Sequence, residues 1–483
     1  MDMRKQAYNP YLPPYEYIPD GEPRVFGDRV YVYGSHDEVE GRDFCTGDYV
    51  VWSAPVDDLA NWTYHGISYK KIQDSMSENG TRPLFAPDVV QGPDGKFYLY
   101  YCLCFVNKVS VAVSDKPEGP FEFYGYVKYP KEILGGKDLE EHNPFDPGVL
   151  VDEDNRIYLY YGFAINMVIN GKKVVGCPGS MAAELEADML TLKARPLMVV
   201  PNGENGIGTS FEGHGFFEAS SIRKKDGIYY FIYSSELSHE LCYATAPSPL
   251  GPYTYGGTIV SNGDMGLEGV DQPVAAMGNT HGSIVEILGK WYVFYHRHTH
   301  ASSFCRQGCA EEIQFEVDGS IKQVEITSCG LNGEPLKAKG TYPFYIACHL
   351  TAPNMPESVK VGETLQDCMP YIKEETCQEE IEKSRHYISN ITKGTIIGFK
   401  YFTFDKNDSI QIKLRGHATG TIKVLCGLQE NDVIGELKVT IQSSEWELVT
   451  AKLSQIKGKY PLYFELQTEG ILEVEEFTFA CDK

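Results

Sequence analysis

The most regular feature of the chain is a recurring pair of short segments in which apolar and polar residues alternate. Each pair has an apolar run, a turn rich in Gly or Asp, and an aromatic-rich run, as in VVQGPDGKFYLYY and SSIRKKDGIYYFIYSS. Alternation with a period of two predicts β-strands, and the turn residues join each pair as a hairpin. One aromatic residue near the start of each second strand marks the repeat: Tyr31, Tyr98, Tyr158, Tyr229 and Tyr292.

These marker aromatics are 60 to 71 residues apart, and further short strands fit inside most of the repeats. A unit of about four strands cannot bury both of its faces alone, whereas a closed ring gives each unit two neighbours. The sequence therefore predicts a five-bladed β-propeller that occupies residues 1–328.

The repeat stops beyond this point, and residues 329–483 contain alternating segments without the hairpin pattern, such as SIQIKL, ELKVTIQ and LEVEEFTF. Seven or eight short strands of this kind are typical of a β-sandwich or jelly roll. A length of 483 residues also agrees with two or three domains rather than one. We expect an all-β protein with a propeller followed by a sandwich.

The charge and the cysteine content limit the cellular compartments and the binding partners that we expect for this protein. Lys and Arg total 43 against 67 Asp and Glu, a formal net charge of −24 at pH 7. Such a chain repels phosphate backbones and anionic lipids, so we expect neither nucleic acid nor membrane as a partner. The 13 scattered cysteines favour a reducing cytoplasm, and residues 1–23 contain no apolar leader. We expect a cytoplasmic protein, or a secreted one if a signal peptide has been removed.

Five ionisable residues occur at matching positions in the five repeats. Each lies 10 to 12 residues before its marker aromatic, near the start of the preceding strand: Asp20, Asp88, Asp146, Glu218 and His281. The first strand of each propeller blade lines the central axis, so the common offset aims these groups into one funnel. A single Asp at such a place can simply close an Asx turn. Five converging ionisable groups, however, are costly unless they have a function.

Five stretches of the predicted propeller can be compared with known families: LFAPDVVQGPDGKFYLYY, FDPGVLVDEDNRIYLYYG, FFEASSIRKKDGIYYFIYSS, THGSIVEILGKWYVFYHR and CAEEIQFEVDGSI. In sequence and in order they closely resemble glycoside hydrolase family 43, whose five-bladed enzymes act on arabinose- and xylose-containing glycans. The carboxyl-terminal part, with SSEWELVTAKL and GKYPLYFELQTEGILEVEEFTFA, resembles a family 6-type carbohydrate-binding β-sandwich. No aromatic platform for sugar is evident there, so we expect a structural role that completes the propeller's pocket.

The resemblance implies a role for each of three carboxyl groups. Asp20 matches the general base, although Gly21 stands where the family has proline, and Glu22 offers a second carboxylate nearby. The common offset favours Asp20 over Glu22. Asp146 matches the carboxylate that tunes the pKa of the acid and orients the substrate. Glu218 matches the general acid, and a nearby anion would raise its pKa so that it stays protonated.

The remaining candidates are substrate-binding and metal-binding residues. Asp88 and Arg297 are predicted to contact substrate, although Asp88 alone would also serve as a strand cap and Arg297 as a surface residue. The resemblance implies that His281 lies near a central channel that holds calcium in several members. A hydrogen-bonded histidine that plugs the channel is the alternative, because hard cations prefer oxygen ligands. No cofactor is expected to be required.

Together these features predict an inverting, exo-acting glycosidase. Its expected substrates are arabinose- or xylose-containing oligosaccharides, from which it would remove terminal α-L-arabinofuranosyl or β-D-xylosyl units. One alternative is a five-bladed glycoside phosphorylase, which would need a cluster of Arg, Lys and His residues to hold phosphate. The other is a non-catalytic sugar-binding propeller, against which the three carboxyl groups argue. The sequence leaves the oligomeric state open.

Overall fold

The computed structural model describes residues 5–480 apart from residue 170, and this part of the chain consists mainly of strands and turns. It contains one α-helical turn, α1 (Gly203–Gly206). Short 3₁₀ turns occur at Lys71–Gln73, Leu134–Gly136, Gly330–Asn332, Phe344–Ile346, Ile381–Lys383 and Glu430–Asp432. Among the described residues, no helix has both the length and the apolar character needed to cross a membrane.

Five antiparallel sheets form the blades of a propeller. Blade one contains β1 (Glu22–Phe26), β2 (Arg29–Tyr33), β3 (Tyr49–Pro55) and β4 (Thr63–Tyr69). Blade two contains β5 (Leu84–Gln91), β6 (Phe97–Leu103), β7 (Ser110–Ser114) and β8 (Glu122–Tyr126). Blade three contains β9 (Gly148–Val151) and β10 (Ile157–Tyr161), then a separate hairpin of β11 (Met167–Ile169) and β12 (Lys172–Val174), then β13 (Gly179–Leu185) and β14 (Leu197–Pro201). Blade four contains β15 (Phe216–Lys225), β16 (Ile228–Ser235), β17 (Glu240–Ala246) and β18 (Thr254–Ser261). Blade five contains β19 (Ser283–Ile287), β20 (Lys290–Arg297) and β21 (Gln307–Ile313).

The first strands of the blades surround the central axis and contact one another in order. Strand β1 packs on β5, β5 on β9, β9 on β15 and β15 on β19, and β19 returns to β1. A backbone bridge between Gly21 and Gly282 joins the first and last blades at the start of these two strands. The prediction of a five-bladed, all-β propeller is therefore confirmed, with three strands rather than four in the fifth blade.

The aromatic half of each predicted hairpin forms the second strand of its blade. These strands are largely apolar, and the marker aromatics are at most 7% exposed: Tyr31, Tyr98, Tyr158, Tyr229 and Tyr292. A blade has two large faces, and closing the ring covers both faces of every blade with a neighbour. The aromatic residues that revealed the repeat in the sequence are thus the ones that pack between neighbouring blades.

A nine-stranded sheet set follows the propeller and encloses its own apolar core. Its strands are β22 (Leu336–Lys337), β23 (Gly340–Pro343), β24 (His349–Thr351), β25 (Tyr371–Glu375), β26 (Arg385–Ile391), β27 (Ile396–Phe404), β28 (Ser409–Leu425), β29 (Val433–Lys452) and β30 (Gly458–Ala480). The predicted sandwich is consistent with this arrangement. The boundary at residue 328 falls between β21 and β22, and the division into two independent domains stays a prediction.

The number of strands in this second part differs from the sequence-based expectation. The segments predicted as short strands lie inside much longer ones: SIQIKL is only the first part of β28, ELKVTIQ lies within β29 and LEVEEFTF within β30. Glycines allow the strand to bend without ending, because Gly416 has φ +136°. A Cβ at Gly416 would lie 2.4 Å from the carbonyl oxygen of Ile471 on the paired strand. The close approach explains why glycine, usually a break signal, lies inside a continuous strand.

Several direct contacts join the second part of the chain to the propeller. The Met277 N–H donates to the Glu357 carbonyl at 3.0 Å, and the Val359 N–H donates to the Met277 carbonyl at 2.7 Å. On β27, the Lys400 ammonium lies 2.9 Å from Asp264 of the propeller, and both side chains are at most 10% exposed. The two parts are therefore held by a backbone ladder and by a buried ion pair.

We predict that Lys400→Met destabilises the protein by about 3–5 kcal/mol, because it leaves the Asp264 carboxylate buried without its partner. Lys393→Met is the matched control, since it breaks an ion pair with Glu469 in which both side chains are mostly exposed. The control should lose no more than about 1 kcal/mol. Chemical denaturation of both variants measures the free energy of unfolding. Equal losses in the two variants would contradict a special role for the buried ion pair in stability.

Candidate active site

A cavity of about 710 Å³ opens where the first strands of the blades begin. Its floor is formed by ionisable side chains that come from four of the five blades: Asp20, Asp146, Glu218, His281 and Arg306. All of them except Glu218 are at most 4% exposed, and Glu218 is partly buried. The common offset along the sequence thus does bring Asp20, Asp146, Glu218 and His281 together.

The local backbone at these residues departs from regular strand geometry. Asp20 has φ 58° and Asp146 has φ 44°, in the left-handed region, and Ala219 beside Glu218 has φ 67°. The pairing of β15 with β16 is also irregular between Glu218 and Ser221. Positive φ and bulges redirect side chains and are concentrated at functional sites. Here they occur where the first strands begin, next to carboxyl groups that line the cavity.

Asp20 is held by a buried guanidinium group. Arg306 donates from Nη1 to Asp20 at 3.0 Å and from Nε to Asp37 at 2.8 Å, so one arginine bridges two carboxylates. The His296 Nδ1 accepts a hydrogen bond from the Asp20 backbone N–H at 3.2 Å. Burial opposes ionisation of Asp20, but the positive charge of Arg306 outweighs it and lowers the pKa to about 2. Asp20 is therefore a carboxylate at neutral pH.

Asp146 and His281 form a second pair on the floor. The His281 Nδ1 lies 3.5 Å from Asp146 Oδ2, and the same oxygen accepts a hydrogen bond from the Ala219 N–H at 3.1 Å. Burial disfavours a charged imidazole, but the hydrogen bond and the charge of Asp146 prevail and raise the pKa of His281 to about 9. Burial raises the pKa of Asp146, against the opposing influence of His281.

Glu218 has the opposite titration behaviour to Asp20. Burial first, and then repulsion by the Asp146 charge, raise the pKa of Glu218 to about 8. No cation lies within ion-pair distance of Glu218 among the described residues, whereas Asp20 and Asp146 each have such a neighbour. One cavity therefore contains a carboxylate and a carboxylic acid at neutral pH, which is how two chemically equal groups take different roles.

The structure corrects the prediction that Asp88 contacts substrate. Asp88 is fully buried in β5 and does not line the cavity. It accepts two hydrogen bonds from Arg24, at 2.6 and 3.0 Å, and one from the Val149 N–H at 2.9 Å. Its position in the common offset reflects a structural ion pair between neighbouring blades.

Arg297 also lies outside the cavity, so the substrate contact predicted for it is wrong. Its guanidinium group is buried and donates to the Ala347 carbonyl at 3.2 Å and to the Cys348 carbonyl at 3.5 Å. The arginine holds the second part of the chain against blade five. Arg306, which the sequence analysis missed, is the arginine that reaches the cavity. Strand pairing places Arg297 opposite Gln307, so both arginines lie at the same end of blade five.

The first strands of the blades enclose a central channel along the propeller axis. The residues around this channel do not fit a calcium ion. Glu22 Oε1 is buried without a hydrogen-bond partner among the described residues, and it lies 3.9 Å from His281 Nε2. The other oxygen of Glu22 binds Arg223 at 2.7 Å, and Arg24 binds Asp88 close by. Calcium requires six to eight oxygen ligands, whereas two guanidinium groups already neutralise these carboxylates and would repel a cation. The metal role predicted for His281 is therefore not supported.

A propeller whose axial cavity holds two carboxyl groups in different protonation states has the equipment of an enzyme that cleaves glycosidic bonds. Residues 19–321 match the family described as glycosyl hydrolases family 43. A protein named xylosidase/arabinosidase from Thermoclostridium stercorarium is 46% identical over 486 residues, covering 99% of this chain and 100% of that protein. The chain belongs to glycosyl hydrolase family 43 and is a glycosidase.

Solved structures agree with this assignment over the propeller. A family 43 enzyme from Xanthomonas citri complexed with xylose is 27% identical, with a TM-score of 0.53, covering 68% of this chain and 96% of that one. A β-xylosidase/α-arabinofuranosidase from a compost metagenome, in complex with xylotriose and in a calcium-free form, is 28% identical with a TM-score of 0.51. That match covers 65% of this chain and 97% of the other. The resemblance of residues 329–483 to a carbohydrate-binding module stays a prediction.

We predict that Asp146→Asn lowers the pKa of Glu218 from about 8, because it removes the nearest negative charge while burial remains. Asp146 is the main influence that raises the pKa of His281, followed by Asp20 and Glu22, so the protonation of the His281 ring is followed in the same titration. A ¹³C NMR titration of the Glu218 carboxyl, assigned with Glu218→Gln, measures the change. Asp226→Asn, in the exposed turn of the same blade, is the control. An unchanged titration in Asp146→Asn would disprove the repulsion.

Proposed function

We propose that the protein is an inverting glycosidase that removes terminal β-D-xylosyl or α-L-arabinofuranosyl units from xylan-derived oligosaccharides. Asp20 acts as general base, Glu218 as general acid, and Asp146 keeps the acid protonated. The observation that carries this proposal is the pair of carboxyl groups in one cavity, with pKa values of about 2 for Asp20 and about 8 for Glu218. Inversion needs one ionised and one protonated carboxyl on opposite sides of the sugar.

The reaction follows from these protonation states. The Asp20 carboxylate takes a proton from water as the water oxygen bonds to the anomeric carbon. The bond between that carbon and the leaving oxygen breaks on the opposite side, and Glu218 delivers its proton to the leaving oxygen. The products are a sugar with inverted configuration and an alcohol, with the proton now on Asp20 and the negative charge on Glu218. Exchange of one proton through solvent restores the enzyme.

The proposed substrates rest on the relatives and on the character of the floor. The full-length relative is named for xyloside and arabinoside cleavage, and a solved family member binds xylose. The floor of the cavity presents buried ionisable side chains, which suit the hydroxyl groups of one terminal sugar unit. Phosphorolysis is disfavoured because both cations on the floor, Arg306 and His281, already face carboxylates.

We infer in addition that the reaction needs no metal ion. In the channel, Arg223 neutralises Glu22 and Arg24 neutralises Asp88. These ion pairs supply the positive charge that a bound cation would otherwise provide. The charges in the channel are thus balanced by the chain's own side chains.

The wild-type protein should hydrolyse xylobiose and aryl β-xylosides or α-arabinofuranosides in the presence of EDTA, and the initial product should have the inverted anomeric configuration. ¹H NMR of the first turnovers measures the anomer, and added phosphate should yield no sugar phosphate. Retention of configuration would reject the proposed mechanism. Complete loss of activity in EDTA that calcium restores would reject the metal-free assignment.

We predict that Asp20→Ala lowers kcat/KM by about 10²–10⁴-fold on every substrate, including activated aryl glycosides, because water must still lose its proton. Azide, which needs no deprotonation, should restore turnover and give the inverted glycosyl azide. Glu22→Gln is the matched comparison, since Glu22 does not line the cavity and binds Arg223 instead. If Glu22→Gln is the inactive variant that azide rescues, the assignment of the base is wrong.

A further inference from the structure

The mouth of the cavity is apolar, in contrast to its ionisable floor. Four side chains at the mouth are 45–75% exposed although they are hydrophobic: Phe105, Ile165, Leu237 and Val361. They come from separate loops, after β6, β10, β16 and β24. We call these four residues the apolar rim. Exposed hydrophobic residues that converge on one opening mark a binding surface rather than scattered surface positions.

A continuous row of phenylalanine rings lines one side of the cavity. Ring centroids of successive members are 5.4 Å apart for Phe85 and Phe145, 4.9 Å for Phe145 and Phe163, and 5.4 Å for Phe163 and Phe217. All four rings line the cavity. We call this row the phenylalanine wall. It crosses blades two to four and ends at Phe217, the residue immediately before Glu218.

The position of the wall identifies the part of the substrate that it contacts. Glu218, as the proposed general acid, faces the leaving oxygen, so the wall beside it faces the leaving group. The terminal sugar occupies the buried floor, and whatever is attached to it must pass outwards between the wall and the rim. The phenylalanine rings and aliphatic side chains offer apolar contact to the leaving group, and an apolar ring buries more apolar area against them than a sugar of similar size does.

The second part of the chain completes this mouth. Val359 is 6% exposed and is anchored by its backbone bond to Met277, whereas Val361 two residues later is 75% exposed at the rim. The Ser303 hydroxyl also donates to the Lys360 carbonyl at 2.9 Å. The segment is therefore fixed by its backbone while it presents Val361 to the opening. Asp43, His239 and Lys360 line the cavity as well, so the rim keeps some polar character.

We propose that this leaving-group site binds apolar ring systems, so that among xylosides or arabinosides whose leaving groups have similar acidity the enzyme favours those with the larger apolar ring. The proposal rests on the proposed function, because it uses Glu218 as the general acid. It adds a substrate class, glycosides with an apolar leaving group, and assigns specificity to the apolar rim and the phenylalanine wall. Val361 makes the second part of the chain a determinant of that specificity.

The test compares three β-xylosides: xylobiose, phenyl xyloside and 2-naphthyl xyloside. Phenol and 2-naphthol, the leaving groups of the last two, have similar acidity. The wild type should show a kcat/KM for the naphthyl compound about four- to fifteenfold above that for the phenyl compound, the gain expected when one or two further CH₂-sized groups are buried. A non-hydrolysable 2-naphthyl thioxyloside should inhibit more strongly than its phenyl counterpart by a similar factor.

The variants Val361→Ser and Phe105→Ser should reduce the naphthyl-to-phenyl ratio of kcat/KM towards one. Val317→Ser is the matched control, because Val317 is fully exposed and lies outside the cavity, and it should keep the wild-type ratio. Equal losses on the naphthyl compound, the phenyl compound and xylobiose would overturn the proposal, as would a wild-type ratio of one. Failure of the wild type to cleave any of the three, or the matching arabinosides, would instead overturn the proposed function.

Discussion

The structure depends on how buried negative charge is neutralised around the propeller axis. Closing the ring brings the starts of the first strands together, and with them more carboxyl groups than a low-dielectric interior can keep ionised. Four of these carboxyl groups lie beside a basic side chain, in the pairs Asp20–Arg306, Glu22–Arg223, Asp88–Arg24 and Asp146–His281. Glu218 is left without one among the described residues. It is therefore the group that holds a proton, and the chemistry follows from that single omission.

This distribution of charge also explains why similar residues have different roles. Asp20 and Glu22 are only two positions apart in the sequence. Arg306 binds Asp20 at the floor of the cavity, whereas Arg223 and Ser221 bind Glu22 in the channel. The channel pairs are structural cross-links between blades, and the cavity pairs tune titration. A buried ion pair adds little net stability compared with an apolar core, so its contribution here is to fix the position and the protonation of neighbouring groups.

The second part of the chain acts on the same site from the outside. Arg297 and Lys400 join it to the propeller through buried polar contacts, and the bonds between Met277 and Val359 continue its backbone along the cavity. The segment that reaches the mouth is thus anchored to the propeller by hydrogen bonds to its backbone. The structural role expected for this part from its lack of sugar-stacking platforms agrees with these contacts, and the rim adds a direct share in the cavity.

The sequence by itself determined the repeat and the family, because hydrophobic alternation and turn residues are local properties that survive without knowledge of the fold. It also placed Asp20, Asp146, Glu218 and His281 in one funnel, since a common offset in a closed ring becomes a common height along the axis. Only the tertiary structure decided which charged groups meet. Asp88 was drawn into an ion pair between blades, and Arg306 rather than Arg297 reached the floor, because such pairs join residues distant in sequence. No local pattern encodes the distance between them.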